Sequence, residues 1–175
     1  MKWLLKIGGA LVLLIVLVIG GTFFVARFHD GPLEGSLAIV AGGEFETGEL
    51  QTGNEPDWKF LTDYPTIEFQ LLDPARSRRT FIMETEGRIF IPSGYMNSIQ
   101  GKVWKHWPME AESDGRAILR VDGKLYERNL VRVKAGELLP GVLSELGRKY
   151  GGGQTVPLSE IESNNLWIFE LQPRT

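Results

Sequence analysis

The sequence contains no cysteine, and this absence excludes several kinds of site at once. Without a thiol, the chain cannot form a disulfide framework, a thiolate metal site or a cysteine nucleophile. Histidine is almost as scarce, because only His29 and His106 are present and they lie far apart in the chain. A histidine-based metal centre is therefore not expected, and we predict that the chain binds no metal.

A basic excess is also lacking. From Arg27 onward the chain carries 17 basic and 22 acidic side chains, which leaves a net charge of −5. Nucleic-acid binding requires clustered Lys and Arg that replace the counterions of the phosphates. Nucleic acid is therefore not an expected partner. The sequence also shows no internal repeat, no Gly-rich phosphate loop and no GxSxG motif.

One long stretch lacks charge altogether. Residues 7–26, IGGALVLLIVLVIGGTFFVA, lie between Lys6 and Arg27. As a helix this stretch is about 30 Å long, which matches the hydrocarbon core of a bilayer. A cleavable signal peptide has a shorter apolar region of about 7 to 15 residues and a small-x-small cleavage site, where this chain has Phe24. We therefore predict a transmembrane helix over residues 7–26.

The flanking charges predict the orientation of this helix. Lys2, Lys6 and the terminal amine precede it, and positive charge favours the cytoplasmic side. Residues 1–6 are then cytoplasmic. In a bacterial cell the chain would be a single-pass protein of the inner (cytoplasmic) membrane, with its C-terminal domain in the periplasm or otherwise extracytoplasmic.

The remaining chain divides into a linker and one domain. Residues 27–57 are rich in Gly and acidic side chains and read as a linker or cover segment, with a short strand over residues 36–41. Asp57 is a plausible N-cap for a helical turn that opens the domain of residues 58–175. A length of 175 residues suits one such domain plus an anchor.

Alternating apolar residues indicate that this domain is mainly β. Ile67, Phe69 and Leu71 share one face of a half-buried strand, and Asp122-Gly123 is a strong hairpin turn. Turns are also expected over residues 73–76 and at Glu86-Gly87. The other expected elements are strands at 79–84, 88–92, 117–121, 124–133 and 165–171, and helical segments at 97–111 and 139–150. About six strands and two or three short helices predict a small, closed or partly closed antiparallel β-barrel.

Three stretches carry a resemblance to a known superfamily: SRRTFIMETEGRIFIPSG, WKHWPMEAESDGRAILRVDGKLYERNLVRV and NLWIFELQPR. In their order of elements, residues 65–173 resemble the flavin-binding split-barrel proteins, which include the pyridoxamine-phosphate-oxidase-like and deazaflavin-dependent nitroreductase-like groups. The resemblance implies an α+β, mainly β fold, a small antiparallel split β-barrel that here follows one transmembrane helix. It also implies FMN or a related flavin as cofactor, reductase activity, and a homodimer formed through the barrel face.

The resemblance further implies which residues hold the flavin phosphate. In this sequence the matching positions are Arg76, Ser77, Arg78, Arg79, Thr80, Lys102 and Lys105. Guanidinium and hydroxyl groups suit a phosphate because they donate charge-assisted, partly bidentate hydrogen bonds. The alternative is that the arginines lie at a solvated turn and pair with Asp73, Glu84 or Glu86.

Aromatic residues and His106 also allow two interpretations. The aromatic residues either line a pocket for a flat ring or form the core, which is their commoner role; they are Trp58, Tyr95, Trp104, Trp107, Tyr126 and Trp167. His106 is either a proton donor or a surface residue. Two functions follow: a membrane-anchored split-barrel protein that binds a flavin-like or other phosphorylated planar ligand, with reductase activity, or a non-catalytic envelope interaction module that has lost cofactor binding.

Overall fold

The structure is a computed structural model that describes residues 2–35, 37 and 40–174. It begins with helix α1, Lys2–Arg27, whose side chains are almost all exposed apart from Ala26. Among the described residues this is the one helix long and apolar enough to cross a membrane. The expected strand at 36–41 includes residues 36, 38 and 39, which lie outside the described part of the chain.

Eight strands form one sheet. They are β1 Glu49–Leu50, β2 Ile67–Leu72, β3 Ala75–Thr80, β4 Met83–Thr85, β5 Arg88–Ser93, β6 Arg116–Val121, β7 Lys124–Val133 and β8 Trp167–Pro173. The order across the sheet is β3-β2-β6-β7-β8-β5-β4, with every neighbouring pair antiparallel, while β1 pairs in parallel with β7. The sheet curls into a half-barrel with β3 and β4 as its edges, which confirms the predicted split β-barrel.

Short helices connect the strands. They are the 3₁₀ helix Trp58–Asp63, α2 Ile99–Trp104, α3 Trp107–Ser113, α4 Leu139–Tyr150 and α5 Ser159–Glu162. Asp57 accepts a hydrogen bond from the Lys59 backbone N–H at 3.1 Å, so the predicted cap is confirmed. The predicted helix at 139–150 is also confirmed, and it ends at Gly151 as expected.

Two apolar clusters hold these elements together. The first fills the barrel and includes Phe69, Leu119 and Phe169, all fully buried. The second lies between α4 and the strands β4, β5 and β8, where Val142 packs near Phe90. Because the side chains of a strand alternate between faces, neighbouring residues on β5 and β8 serve both clusters. Apolar side chains therefore pack on both faces of the sheet, inside the barrel and under α4.

An ion pair between a buried arginine and an exposed glutamate fixes the chain just before the 3₁₀ helix. The Arg128 side chain is 1% exposed, and its guanidinium donates to both carboxylate oxygens of Glu55 at 2.7 and 3.0 Å. The same guanidinium lies over the rings of Trp58 and Tyr126, at 5.0 and 5.5 Å from their centroids. The Trp58 indole N–H also donates to Glu55 at 2.9 Å, so these contacts together hold the chain around Glu55 against the sheet.

Two hairpins follow directly from local sequence. Asp122 and Gly123 have φ values of 50° and 71°, and Glu86 and Gly87 have φ values of 53° and 77°. Two consecutive positive φ values define the type I′ turn, whose twist matches that of antiparallel strands and which favours Gly at its second position. Both predicted turns are confirmed.

The prediction for the arginine-rich stretch was wrong. Ala75 pairs with Leu72, so Asp73 and Pro74 make the whole turn and strand β3 begins at once. The expected single strand at 79–84 is instead divided between the end of β3 and the short β4. Charged side chains suit β3 because it is an edge strand, where charge discourages pairing with other molecules.

The expected helical segment at 97–111 is two helices. Ser98 caps α2 by accepting a hydrogen bond from the Gly101 N–H at 2.9 Å, and the helix ends before Lys105. Pro108 lies in the first turn of α3, where the missing N–H breaks no helical hydrogen bond. The proline therefore begins a second helix instead of bending one continuous helix.

Candidate functional site

Three of the predicted site residues line one cavity. It has a volume of about 560 Å³, is bounded by the end of β3 and the C-terminal part of α4, and includes Arg79, Thr80 and Lys105 in its lining. We call it the β3–α4 cavity. Its volume lies within the range of roughly 300 to 1,000 Å³ that is usual for small-molecule sites. The structure thus brings together residues that are up to 26 positions apart in the sequence.

Lys105 is the cavity's uncompensated charge. It follows α2 and is half-buried, and its Nζ donates a hydrogen bond to the Gly94 carbonyl oxygen at 2.7 Å. Nζ also lies 5.6 Å from the centroid of the Tyr95 ring, within cation–π range. No carboxylate of the described residues forms an ion pair with Lys105. Burial therefore lowers its pKa, and two of its three N–H donors are left for another acceptor.

Aromatic side chains form part of the cavity wall. Phe81 stacks on Tyr150 with ring centroids 3.9 Å apart and an interplanar angle of 16°. The Tyr150 hydroxyl donates to the Pro65 carbonyl oxygen at 2.6 Å and accepts from the Ile82 N–H at 3.2 Å. Burial raises the pKa of Tyr150, so the ring stays neutral at ordinary pH. Because Phe81 and Tyr95 remain 45% and 73% exposed, flat apolar surface is available at the cavity.

Two other polar side chains of the cavity lining, Glu160 and Thr80, differ in their hydrogen bonding. Glu160 lines the cavity, and its carboxylate accepts a hydrogen bond from the Asn165 side-chain amide at 2.5 Å. The Thr80 hydroxyl makes no hydrogen bond to any described residue, so it is available to a ligand. The cavity therefore offers one cation and one hydroxyl to an anion, beside apolar rings.

Arg79 lines the same cavity, but its charge is compensated. Its guanidinium bonds both oxygens of Glu34, at 2.9 and 3.1 Å, and one oxygen of Glu68 at 2.7 Å. These hydrogen bonds raise the pKa of Arg79 above its ordinary value. A phosphate at Arg79 would have to compete with two carboxylates. Arg79 is thus a weaker candidate for ligand binding than Lys105.

Arg79 belongs to a network on the outer face of β2, β3 and β6, which we call the junction network: Asp30, Glu34, Glu68, Arg79 and Arg120. Arg120 donates to Asp30 at 2.6 Å and to Glu68 at 3.0 Å, and its guanidinium lies 4.1 Å from the centroid of the Phe45 ring. Asp30 and Glu34 follow α1, whereas Glu68, Arg79 and Arg120 are in the sheet. The network therefore holds the segment after α1 against the barrel.

Asp30 is the most strongly shifted carboxyl of this network. Burial alone would raise its pKa, but hydrogen bonds from the Thr47 hydroxyl, the Glu46 N–H and Arg120 outweigh it and lower the pKa to about 2. The network also lines a cavity of about 550 Å³. Each of its two arginines is paired with two carboxylates, so this second cavity presents no free cation to an anionic ligand.

Four predicted site residues lie outside the lining of the β3–α4 cavity. Arg76 and Arg78 share the barrel-facing side of β3, opposite Leu71 and Phe69. Ser77 faces the other way and is fully buried, with its backbone paired to Gly42. Lys102 is exposed on α2. A ligand-binding role for these residues stays a prediction.

The predicted alternative for the arginines named the wrong partners. Arg79 pairs with Glu34 and Glu68, and Arg78 lies 3.8 Å from Glu110, so the ion pairs do not involve Asp73, Glu84 or Glu86. Glu34 is 45 positions from Arg79, and Glu110 comes from helix α3. Local spacing along the chain does not reveal contacts of this kind.

The aromatic residues are mostly core, as their commoner role predicts. Trp58, Trp107 and Tyr126 are buried in the barrel, and Trp167 packs against that cluster. Among the side chains that the structure describes, Tyr95 is the exception and lies at the cavity; the Trp104 side chain lies outside the described part. Phe81 and Tyr150 also line the cavity but were not predicted from the sequence, because they are 69 positions apart and no local pattern marks them. His106 is exposed, as a surface histidine should be.

Comparison with known proteins adds limited information. No protein-family model and no curated protein matches the sequence. Among solved structures, a conserved hypothetical protein of Mycobacterium tuberculosis is similar, at 16% identity and a TM-score of 0.46, over 66% of this chain and 77% of that one. A candidate pyridoxamine 5′-phosphate oxidase of Listeria innocua is similar at 9% identity and a TM-score of 0.43, over 66% and 88% of the two chains. Likenesses this distant carry no functional argument, and the fold rests on the strand order.

Proposed function

We propose that this chain is a membrane-anchored split-barrel protein that binds a flavin-like or other phosphorylated planar ligand in the β3–α4 cavity. The observation that carries this proposal is the half-buried Lys105, which has no carboxylate partner among the described residues. Burying an unpaired charge is costly, and an anionic ligand would offset that cost. The arginines of the junction network have no such need because carboxylates already pair with them.

The cavity suits both parts of such a ligand. A phosphate would accept hydrogen bonds from Lys105 and the Thr80 hydroxyl, and a flat ring would pack on Phe81, Tyr95 or Tyr150. FMN is the natural first ligand to test because it joins a planar ring system to a phosphate. Bound FMN would supply electron-transfer chemistry, and reductase activity is part of the proposal only through the family resemblance. The homodimer stays a prediction as well.

We assign the tether to α1. Its side chains are almost all exposed, which suits a lipid environment, and its length and apolar composition suit a bilayer. In this arrangement residues 7–26 span the inner membrane and residues 58–175 form an extracytoplasmic domain. Residues 27–57 are the linker or cover segment between the two. The support for this orientation is the pair Lys2 and Lys6 before the helix.

A binding experiment tests the ligand proposal. The full chain is purified in detergent micelles and titrated with FMN while flavin fluorescence is recorded. We expect saturable quenching, and we expect Lys105→Gln to weaken binding by about tenfold because a charge-assisted hydrogen bond is lost. Lys124→Gln is the matched control. Lys124 is the first residue of β7, is exposed, and forms no ion pair with a described residue.

The same titration decides between the two predicted functions. If no saturable quenching appears up to about millimolar FMN, a specific site of the usual affinity is absent. That result would favour the non-catalytic interaction module. Equal binding by wild type and Lys105→Gln would show that ligand binding exists but does not use this cavity.

A separate experiment tests the tether. A reporter that is active only outside the cytoplasm is fused after Thr175, and a second fusion carries a reporter that works only inside. We expect activity from the first fusion alone. Activity from the second would reverse the orientation without affecting the ligand proposal.

A further inference from the structure

Charge pairing divides the arginines of this chain into two groups. Of its eleven arginines, eight have a carboxylate oxygen within 2.9 Å: Arg79, Arg88, Arg116, Arg120, Arg128, Arg132, Arg148 and Arg174. Arg27 and Arg76 form no ion pair with any described residue, and Arg78 has only Glu110 at 3.8 Å. The chain thus satisfies most of its guanidinium groups internally and leaves three of them short of acceptors.

These three arginines are neighbours in space. Arg76 and Arg78 lie on the same face of β3, on either side of Ser77. The Ser77 backbone pairs with Gly42 through hydrogen bonds of 2.9 and 3.3 Å. The next residue, Gly43, lies so close to the end of α1 that a Cβ atom there would be 2.6 Å from the Arg27 carbonyl oxygen. Arg27 therefore ends its helix beside this part of β3.

Electrostatics agrees with this geometry. Burial lowers the pKa of Arg76, and the positive charge of nearby Arg27 lowers it further. Burial also lowers the pKa of Arg78, while Glu110 acts in the opposite direction. Among the described residues, Glu110 is the carboxylate whose charge acts on both Arg76 and Arg78. Positive charge at this position is therefore only partly compensated.

Buried donors point to a missing acceptor. Arg76 Nη1 and Arg78 Nε are buried and have no hydrogen-bond partner among the described residues, and Glu110 Oε2 is in the same condition. Native proteins pair nearly all buried polar atoms with protein groups, ordered water or a bound ion, and here two such donors lie on one face of β3 without an acceptor among the described residues. An anion with several acceptor oxygens would satisfy the two guanidinium groups. A phosphate provides such oxygens and matches the guanidinium fork.

The position along α1 indicates where the phosphate would come from. Arg27 is the last residue of the apolar helix, so it lies at headgroup depth if α1 spans the bilayer, which rests on the tether proposed above. Phe24 and Phe28 are exposed beside it, with ring centroids 5.1 Å apart, so apolar surface lies next to Arg27. We infer that Arg27, Arg76 and Arg78 form a site for a phosphate group, supplied by the headgroup of an anionic phospholipid.

Lipid retention tests this inference on the full chain. The protein in neutral detergent is titrated with phosphatidylglycerol or phosphatidylcholine, and bound lipid is counted by native mass spectrometry. We expect phosphatidylglycerol to be preferred by about tenfold, and Arg76→Gln with Arg78→Gln to remove that preference. The matched control is Lys59→Gln with Lys124→Gln, which removes the same charge from two exposed positions. It should retain the preference.

Two further arms complete the experiment. Arg27→Gln changes an exposed helix end, so it tests the site even if the double arginine variant does not fold, and it should weaken phosphatidylglycerol retention by about threefold. Inorganic phosphate is added as a competitor. If inorganic phosphate displaces the lipid from wild type, the site binds a phosphate group from either source. If it does not, the site is specific for the lipid headgroup.

The inference and the tether fail in different ways. Equal retention of phosphatidylglycerol by wild type, Arg27→Gln and the double arginine variant would overturn the phosphate site. If instead the reporter that works only inside is the active one, the proposed orientation of the tether fails. Loss of phosphatidylglycerol in the arginine variants would still support the phosphate site.

Discussion

The junction network and the β3–α4 cavity meet at Arg79 but treat charge in opposite ways. In the network each arginine contacts two carboxylates, and the segment after α1 is held in place as a result. In the cavity Lys105 contacts a carbonyl oxygen and no described carboxylate. The comparison separates cations that stabilise the fold from one that is available to a ligand.

Arg120 and Lys105 should also differ in how much they contribute to the stability of the fold. The Arg120 side chain is 15% exposed and paired with two carboxylates, so its removal would leave Asp30 without a cationic partner among the described residues, while Glu68 would keep only Arg79. Lys105 is half-buried with one hydrogen bond, so the folded protein depends on it much less. Stability should therefore follow the network, and ligand affinity should follow the cavity.

The largest expected effect is on stability. Arg120→Ala should lower the free energy of unfolding by about 3 kcal/mol, because removing one partner of a largely buried ion pair leaves the other charge uncompensated. Lys105→Ala should lower it by less than about 1 kcal/mol. Urea unfolding of both variants in the same detergent measures the difference. Equal losses would mean that the distinction between network and cavity is wrong.

A smaller effect is expected on the pH dependence of ligand binding. Burial favours the neutral form of Lys105, so its pKa lies below the ordinary lysine value of 10.5. The ammonium form binds the phosphate, and FMN affinity should fall by about tenfold as pH rises through this lowered pKa. Lys105→Arg should retain affinity at high pH because arginine stays charged. An affinity that stays constant as pH is raised through the ordinary lysine value of 10.5 would contradict the assignment of Lys105.

The smallest expected effect concerns acid stability of the network. The pKa of Asp30 is about 2 in the folded chain, below its ordinary value of 3.8, so the ionised form stabilises the fold. This contribution is complete above about pH 4 and is lost as pH falls toward 2. Asp30→Asn should therefore melt about 2 °C below wild type at neutral pH, with the two curves converging in acid. A constant difference down to pH 2 would show that ionisation of Asp30 does not matter.

Local signals predicted the parts of the fold that depend on neighbouring residues. Asp122-Gly123 and Glu86-Gly87 form the expected turns because both positions adopt positive φ. The helix Leu139–Tyr150 ends where Gly151 follows. The arginine-rich stretch was misassigned because charged residues on an edge strand look like a turn when the partner strand is unknown.

The site was less predictable because its properties depend on distant residues. Arg79 is neutralised by Glu34, 45 positions away, and nothing near Arg79 in the sequence shows this. Phe81 meets Tyr150 only after α4 packs on the sheet. Lys105 was predicted from the family resemblance, but its lack of a counter-ion is a property of the folded chain.

The most direct test of the central claim compares FMN with riboflavin, which has the same ring system without the phosphate. The full chain in detergent is titrated with each ligand, for wild type and for Lys105→Gln. If Lys105 binds the phosphate, wild type should prefer FMN by about tenfold, and Lys105→Gln should bind both ligands about equally. An equal preference for FMN in both proteins would contradict the account.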